Sequence, residues 1–382
     1  MRNIVVLGAG LVGSVIARDL ANEPDFRVSA VDLDEATLAA AAKRCGDRVG
    51  TVRADLSVPE QVAECVKDAD LVIGAVPGWL GLAVLRTVIA QRKPFADISF
   101  MPEDASRLSP SAAEAGVVGV VDCGVAPGMS NVLSARAAAD VEHPEQLRIY
   151  VGGLPQVRRW PYEYAAVFSP IDVLEEYTRP ARVVEGGKLV VKTALSEVEH
   201  LEFEGVGTLE AFNSDGLRSL ADSLTVPDMS EKTMRYPGHA ERMRAIRETG
   251  LLSYDKIRVG DVEIRPVDLT CALLKRAWRL PEGEGDITVM RVQVRGNTAG
   301  KHVRDVWDLV DRYDPETGFT SMARTTGFPC AIVARMILDG TIGLSPGVHF
   351  PEKLASNRAV LDRLLAALAA RKVSYKHTVH HG

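Results

Sequence analysis

The chain has 382 residues, 46% of them hydrophobic and 25% charged, with a formal net charge of -6. That length supports two domains and a sizeable core, while the acidic balance excludes electrostatic capture of nucleic acid or an anionic membrane. No apolar run approaches the roughly 20 residues of a membrane span. The five cysteines, Cys45, Cys65, Cys123, Cys271 and Cys330, form neither a C-x-x-C pair nor a Cys/His cluster. Reduced thiols, no bound metal, no signal peptide and a cytoplasmic location are therefore expected.

The first elements are the most informative. Asn3–Leu7 is rich in Ile and Val, as a strand buried on both faces is. Gly8-Ala9-Gly10-Leu11-Val12-Gly13 follows, and Val12, Val15, Ile16 and Leu20 recur at helical spacing. Strand, glycine turn and helix occur in the order a dinucleotide site requires. Gly8 serves the tight turn, Gly10 lets a pyrophosphate approach, and Gly13 lets the helix pack on its strand. With Leu11 and Val12 these glycines place free N–H groups at a helix N-terminus, where phosphates bind. A second strand, Arg27–Val31, ends in Asp32, roughly 20 residues beyond the glycines, where a carboxylate accepts from ribose hydroxyls and repels a 2′-phosphate. NAD rather than NADP is the cofactor this predicts.

Alternation of strand and helix continues. Helices are predicted at Glu35–Lys43, Pro59–Lys67 and Leu80–Ala90, and strands at Gly50–Arg53, Asp70–Ala75, Pro94–Ile98 and Val117–Val121. Asp55 after the third strand and Ala75, Val76 and Pro77 after the fourth lie at strand ends facing the cofactor. Six strands with intervening helices make a doubly wound parallel sheet of the Rossmann type. Residues 1–128 are assigned to this α/β domain. A helix, Met129–Asp140, opens the next.

From about residue 147 the pattern turns to longer, more polar strands: Gln146–Val151, Lys188–Val191, Glu197–Phe203, Leu209–Asn213, Ile287–Val294 and Arg304–Arg312. Gly152-Gly153-Leu154-Pro155 reads as a turn, and the last two strands as partners in a half-solvated antiparallel sheet. Helices are predicted at Gly238–Thr249 and Pro266–Trp278. Residues 129–318 thus form an α+β substrate and oligomerisation domain with a mixed or antiparallel sheet. Residues 319–382 form a helical segment, Ala323–Leu338 and Phe350–Lys372, that returns to the first domain. The His-containing tail from Lys376 reads as a frayed terminus. The apolar middle sheet suggests a homodimer or higher homo-oligomer.

Ligands in such a sheet bind at the carboxyl ends of the strands. Asp97 and Ser99 lie there after the fifth strand, and Asp122 after the sixth, ahead of a glycine-rich segment. In the second domain, Arg179 and Arg182, the polar turn Asn213-Ser214-Asp215, and Arg235-Tyr236-Pro237-Gly238-His239 are candidates for the other wall. A guanidinium fork suits a planar carboxylate. Tyr162, Tyr164 and Phe168 are candidate aromatic walls.

These residues resemble the saccharopine reductase-like superfamily, and most closely its L-lysine 6-dehydrogenase branch. The matching segments are GAGLVG, DCGVAPGMSN (122–131), YVGGLP (150–155), FSPIDVLEEYTRPAR (168–182), ALSEVE (194–199), LEAFNSDGLRSL (209–220) and EKTMRYPGH (231–239), within residues 1–350. The resemblance implies a Rossmann domain, a mixed substrate domain, a C-terminal segment completing the first, and NAD-dependent oxidation at the ε-carbon of lysine. It matches Phe168 to a cofactor-stacking aromatic. It also places Ser214 where saccharopine reductases carry a substrate-holding arginine, a departure that argues for a substrate smaller than saccharopine. The reaction expected is oxidative deamination to 2-aminoadipate 6-semialdehyde, which cyclises, with ammonia released. Asp122, Asp97 and His239 are the candidate proton acceptors. Arg235 or Arg179, aided by Tyr236, Ser99 and Asp215, are the candidate substrate-binding groups. The alternatives are a dehydrogenase of secondary amines such as saccharopine or carboxynorspermidine, a reductive NADPH enzyme, and a non-catalytic NAD-sensing module.

Overall fold

The computed structural model describes residues 1–166, 170–281 and 283–382. The chain divides into two compact units, 1–132 with 323–374, and 133–322 with 375–382.

The first unit is built on a seven-stranded parallel sheet. Its first six strands in chain order are β1 (Arg2–Leu7), β2 (Phe26–Asp32), β3 (Val49–Arg53), β4 (Leu71–Gly74), β5 (Phe95–Asp97) and β6 (Val118–Val120). In space the order is β6-β5-β4-β1-β2-β3, so the chain reverses direction of travel across the sheet between β3 and β4. This is the doubly wound topology, and its crevice lies at the carboxyl ends of β1 and β4. The strands are short runs of Ile, Val, Leu, Ala and Phe because both faces are covered; Ile4, Val6, Leu7, Val72, Ile73 and Phe95 are all buried. A seventh strand, Gly347–His349, pairs in parallel with β6 and was not anticipated. Three residues, the first of them a glycine, carry too little hydrophobic pattern to read as a strand. The short helical stretches Ala105–Leu108 and Ser109–Ala115, between β5 and β6, were also missed.

The second unit carries a nine-stranded mixed sheet. Its main path runs Glu199–Phe203, Gly207–Asn213, Asp228–Arg235, His143–Pro155, Asp286–Thr298, Lys301–Arg312 and Tyr375–His381. Only the pairing of Asp228–Arg235 with His143–Pro155 is parallel along this path. Helices Pro170–Thr178, His239–Glu248 and Pro266–Ala277 contribute to a core of Val173, Leu174, Tyr177, Phe212, Met243, Leu274 and Trp278.

Four sequence expectations are corrected here. Gly152 to Pro155 is strand, not turn. A Cβ on Gly152 would lie 2.5 Å from the Met234 carbonyl oxygen, so glycine is there to let two strands close up. Lys232 to His239 reads in sequence as a polar cluster before a helix, but its first half, through Arg235, belongs to the interior strand Asp228–Arg235, which is almost wholly buried. Asp286–Thr298 is buried on both faces along most of its length rather than half-solvated. The tail is a paired strand: Tyr375–His381 runs antiparallel to Lys301–Arg312, with His377 stacked on Trp307 at 3.9 Å and its Nε2 2.9 Å from Asp305 Oδ2.

Candidate functional site

The glycine turn fits a dinucleotide by what surrounds each glycine. Gly8 has φ +106°, and a Cβ there would lie 2.2 Å from the Ala75 carbonyl oxygen at the end of β4. A Cβ on Gly13 would lie 2.0 Å from the Gly8 carbonyl oxygen. Around Gly10, by contrast, no heavy atom comes within 4 Å of a Cβ position. The turn is therefore closed by Gly8 and Gly13 and left open at Gly10. Helix Leu11–Leu20 starts there with no side-chain cap and no acidic residue in its first turn, which is the electrostatics a pyrophosphate needs. The two kinds of glycine predict different phenotypes. Gly13→Ala is expected to destabilise the fold by about 1–3 kcal/mol in denaturant titrations, as overpacking does. Gly10→Ala is expected to leave stability unchanged and weaken NADH binding; wild-type affinity in that variant would place the phosphates elsewhere.

Asp32 is fixed by two backbone donors. Its Oδ2 accepts from Ala9 N at 3.0 Å and its Oδ1 from Asp34 N at 3.1 Å. Asp55 is turned onto Ser57, accepting from its amide at 2.9 Å and its hydroxyl at 2.6 Å. Those bonds hold its carboxyl below its ordinary range. Ala75, Val76 and Pro77 follow β4 directly. Phe168 lies outside the described residues.

At the carboxyl ends of β5 and β6 stand two carboxylates. Asp97 is fully buried; its Oδ1 accepts from Ser99 N at 2.8 Å and its Oδ2 from Ser99 Oγ at 3.1 Å. Burial pushes its pKa up to about 8, against the opposing pull of the Ser99 bonds, and the nearby Asp122 adds to the rise. The site is pressed in from one side, since a Cβ on Gly74 would lie 1.8 Å from Asp97 Oδ2. Asp122 is buried at φ +53°, a conformation that costs a non-glycine residue free energy and that clusters at functional sites. Cys123, whose amide donates to the Asp97 carbonyl at 2.8 Å, has its thiol pushed up by burial and by both aspartates.

In the second unit, the alternation of strand Asp228–Arg235 points Glu231, Thr233 and Arg235 to one face. Arg235 is 2% exposed. It pairs with Glu176, donates to Met234 O at 2.9 Å and to Tyr177 Oη at 3.4 Å, and lies 4.6 Å over the Tyr164 ring. Most of its donors are thus spent inside the unit, which weighs against its role as a substrate clamp. His239 is also fully enclosed. Its Nδ1 bonds the Tyr162 carbonyl at 3.0 Å, so Nδ1 donates and Nε2 accepts from the Tyr177 hydroxyl at 2.9 Å. Burial and the Arg235 charge push its pKa down to about 3. With both nitrogens engaged it orients Tyr177 and has no lone pair left for a substrate proton.

The remaining candidates have local partners too. Arg179 pairs with Glu175 at 3.4 Å, Tyr236 donates to Pro155 O at 2.9 Å, and Asp215 takes both arms of Arg182 at 2.9 and 3.3 Å. Ser214 Oγ lies 2.7 Å from Glu231 Oε2 and 2.7 Å from Thr233 Oγ1. Burial pushes Glu231 up to about 8, with Glu176 and Asp215 adding to the rise. Glu176, Glu231 and Arg218 were missed from the sequence. Arg218 is 9% exposed with φ +52°, a buried arginine on a strained turn. The period-two run Glu231, Thr233, Arg235 was the signal that could have found the inner face of strand Asp228–Arg235.

A doubly wound sheet with a dinucleotide turn, followed by a mixed-sheet unit, defines the class: a two-part nicotinamide-cofactor protein. Residues 4–120 match the family model described as "Saccharopine dehydrogenase NADP binding domain", and residues 124–373 match "Saccharopine dehydrogenase C-terminal domain". The chain belongs to the saccharopine dehydrogenase family. It is 22% identical to the saccharopine dehydrogenase [NADP(+), L-glutamate-forming] of Saccharomyces cerevisiae, over 95% of this chain and 96% of that one. It is 24% identical to the mitochondrial alpha-aminoadipic semialdehyde synthase of Bos taurus, covering 96% of this chain but 47% of that longer protein. It is 21% identical to the carboxyaminopropylagmatine dehydrogenase of Synechocystis sp., over 89% and 90%. The solved structure of the apo yeast saccharopine dehydrogenase has the same fold, with a TM-score of 0.82 at 20% identity and full coverage of both chains. No helix among the described residues is long and apolar enough to cross a membrane, and no group of three or more His, Cys, Asp or Glu among them is placed to hold a metal.

Proposed function

We propose that the chain is an NAD-dependent dehydrogenase that oxidatively deaminates the ε-amine of L-lysine. The observation that carries the choice of substrate is the turn at Ser214. Where the resemblance places an arginine in saccharopine reductases, this chain has a hydroxyl bonded to the buried Glu231. A carboxyl and two hydroxyls in place of that arginine give the second dicarboxylate arm of saccharopine no guanidinium partner at this turn. The bound nicotinamide supplies the hydride acceptor. The glycine turn holds its phosphates and Asp32 its adenosine ribose. A lysine ammonium has a pKa near ~10.4 and cannot give up hydride while protonated. Asp97, with Asp122 beside it in the same unit, is assigned the proton: a carboxyl titrating at about 8 is far better matched to an amine than one at its ordinary value.

A second reading, a dehydrogenase of secondary amines, is favoured by the likeness to the yeast saccharopine dehydrogenase and the Synechocystis carboxyaminopropylagmatine dehydrogenase. The test is NADH formation with NAD+ and L-lysine, L-ornithine, saccharopine or carboxynorspermidine, with the nitrogen product identified. Ammonia from lysine is the expected result. A second amino compound released from a secondary amine, with lysine inert, would move the chain to the second reading.

A further inference from the structure

The sheet order sets β2 beside β3, with Asp32 directly across from Arg53. A carboxylate and a guanidinium therefore leave the sheet at the same end, where the ribose of the cofactor belongs. The two have opposite preferences: a carboxylate there favours a free 2′-hydroxyl, and an arginine accommodates a 2′-phosphate. The carboxylate is immobilised by the Ala9 and Asp34 amides. The guanidinium is engaged differently. Its Nε donates to the Leu33 carbonyl at 3.3 Å, and one terminal nitrogen lies 2.9 Å from Glu35 Oε1. Glu35 sits in the first turn of helix Glu35–Cys45, behind Asp34, which caps that helix by accepting from Thr37 N. Its charge is favoured there by the helix dipole, so it is placed to face Arg53 for reasons that do not involve the cofactor.

We propose that Glu35 is a specificity-determining residue of the first unit: by pairing with Arg53 it neutralises a group beside Asp32 that would otherwise receive a 2′-phosphate. The proposal rests on the reading of Asp32 as the ribose carboxylate. It makes the unphosphorylated dinucleotide the preferred ligand through two residues, one that attracts ribose hydroxyls and one that withholds a phosphate partner. Both side chains of the pair are largely exposed, at 62% and 76%. The effect is accordingly modest, and neither residue is needed for folding.

The test is calorimetric titration of the full chain with NADH and with NADPH, which reads binding without turnover. Glu35→Gln is expected to leave NADH affinity unchanged and to tighten NADPH about fivefold, the scale of an exposed ion pair. The double variant Glu35→Gln/Arg53→Gln is expected to lose that gain, because the gain belongs to the freed guanidinium. An unchanged NADPH-to-NADH ratio in Glu35→Gln would overturn the proposal, as would a double variant that keeps the gain. Wild-type chain that binds neither dinucleotide would instead overturn the reading of the glycine turn and Asp32, and this assignment with it.

Discussion

Asp97→Asn is expected to lower the rate of amine oxidation by roughly 10²–10⁴-fold, the range for loss of a positioned acid or base. The variant is close to isosteric. An amide oxygen still accepts from Ser99 N, and the amide nitrogen donates to Ser99 Oγ, so the two bonds to Ser99 are kept. What is lost is the ability to take a proton. In the wild type Asp97 accepts only when ionised, so activity should climb with pH toward about 8, and this limb should vanish in the variant. Stability carries an independent signature. Because burial raises the folded-state pKa, the proton is bound more tightly in the folded chain than in the unfolded one. The stabilisation this gives is complete below the unfolded value of 3.8 and is lost as pH rises to about 8, by ~1.4 kcal/mol per pH unit. Asn carries no such dependence, so the melting temperature of the variant should gain on the wild type steadily over that interval. Parallel pH-stability curves would show that Asp97 is ionised throughout.

Glu176→Ala is expected to cost about 2–3 kcal/mol of stability, below the roughly 3–5 kcal/mol of a fully buried pair broken by removing one partner, because Arg235 is enclosed but the Glu176 side chain is 21% exposed. Arg235 is 2% exposed, and its hydrogen bonds to Met234 O and Tyr177 Oη are to neutral groups. Deleting the carboxylate leaves the guanidinium without a counter-charge against Tyr164 and His239. The cause is the stranded charge rather than lost packing, so the double variant Glu176→Ala/Arg235→Met should recover most of the loss. Urea titrations of the three variants check this; equal destabilisation in the single and double variants would assign the effect to packing.

The first unit was legible in the sequence because its signals are local. A buried parallel strand is a run of Ile and Val, the turn needs glycines at fixed offsets, and Asp32 ends the next strand. Asp97 and Asp122 were found in the same way, as polar residues at strand ends. The second unit was less legible because its central strand hides charge. Glu231, Thr233 and Arg235 face a buried polar cluster, and charged residues in sequence read as surface. His239 drew attention as an imidazole beside an arginine and a tyrosine. Its partners, Tyr162 and Tyr177, come from segments far away in the chain, so neither its neutrality nor its orienting part could be seen. Gly152 and Gly153 look like a turn by composition, and only the approach of Met234 explains Gly152 within a strand. The tail strand is polar along its length and is held by contacts such as His377 on Trp307, which no local pattern announces.

The measurement that bears most directly on the proposed activity is hydride tracing with L-lysine deuterated at the ε-carbon. NAD+ should be reduced to nicotinamide carrying deuterium, with ammonia formed in equal amount. Reduced cofactor without deuterium would show that oxidation occurs at another carbon, and absence of reduction with lysine would contradict the lysine reading outright.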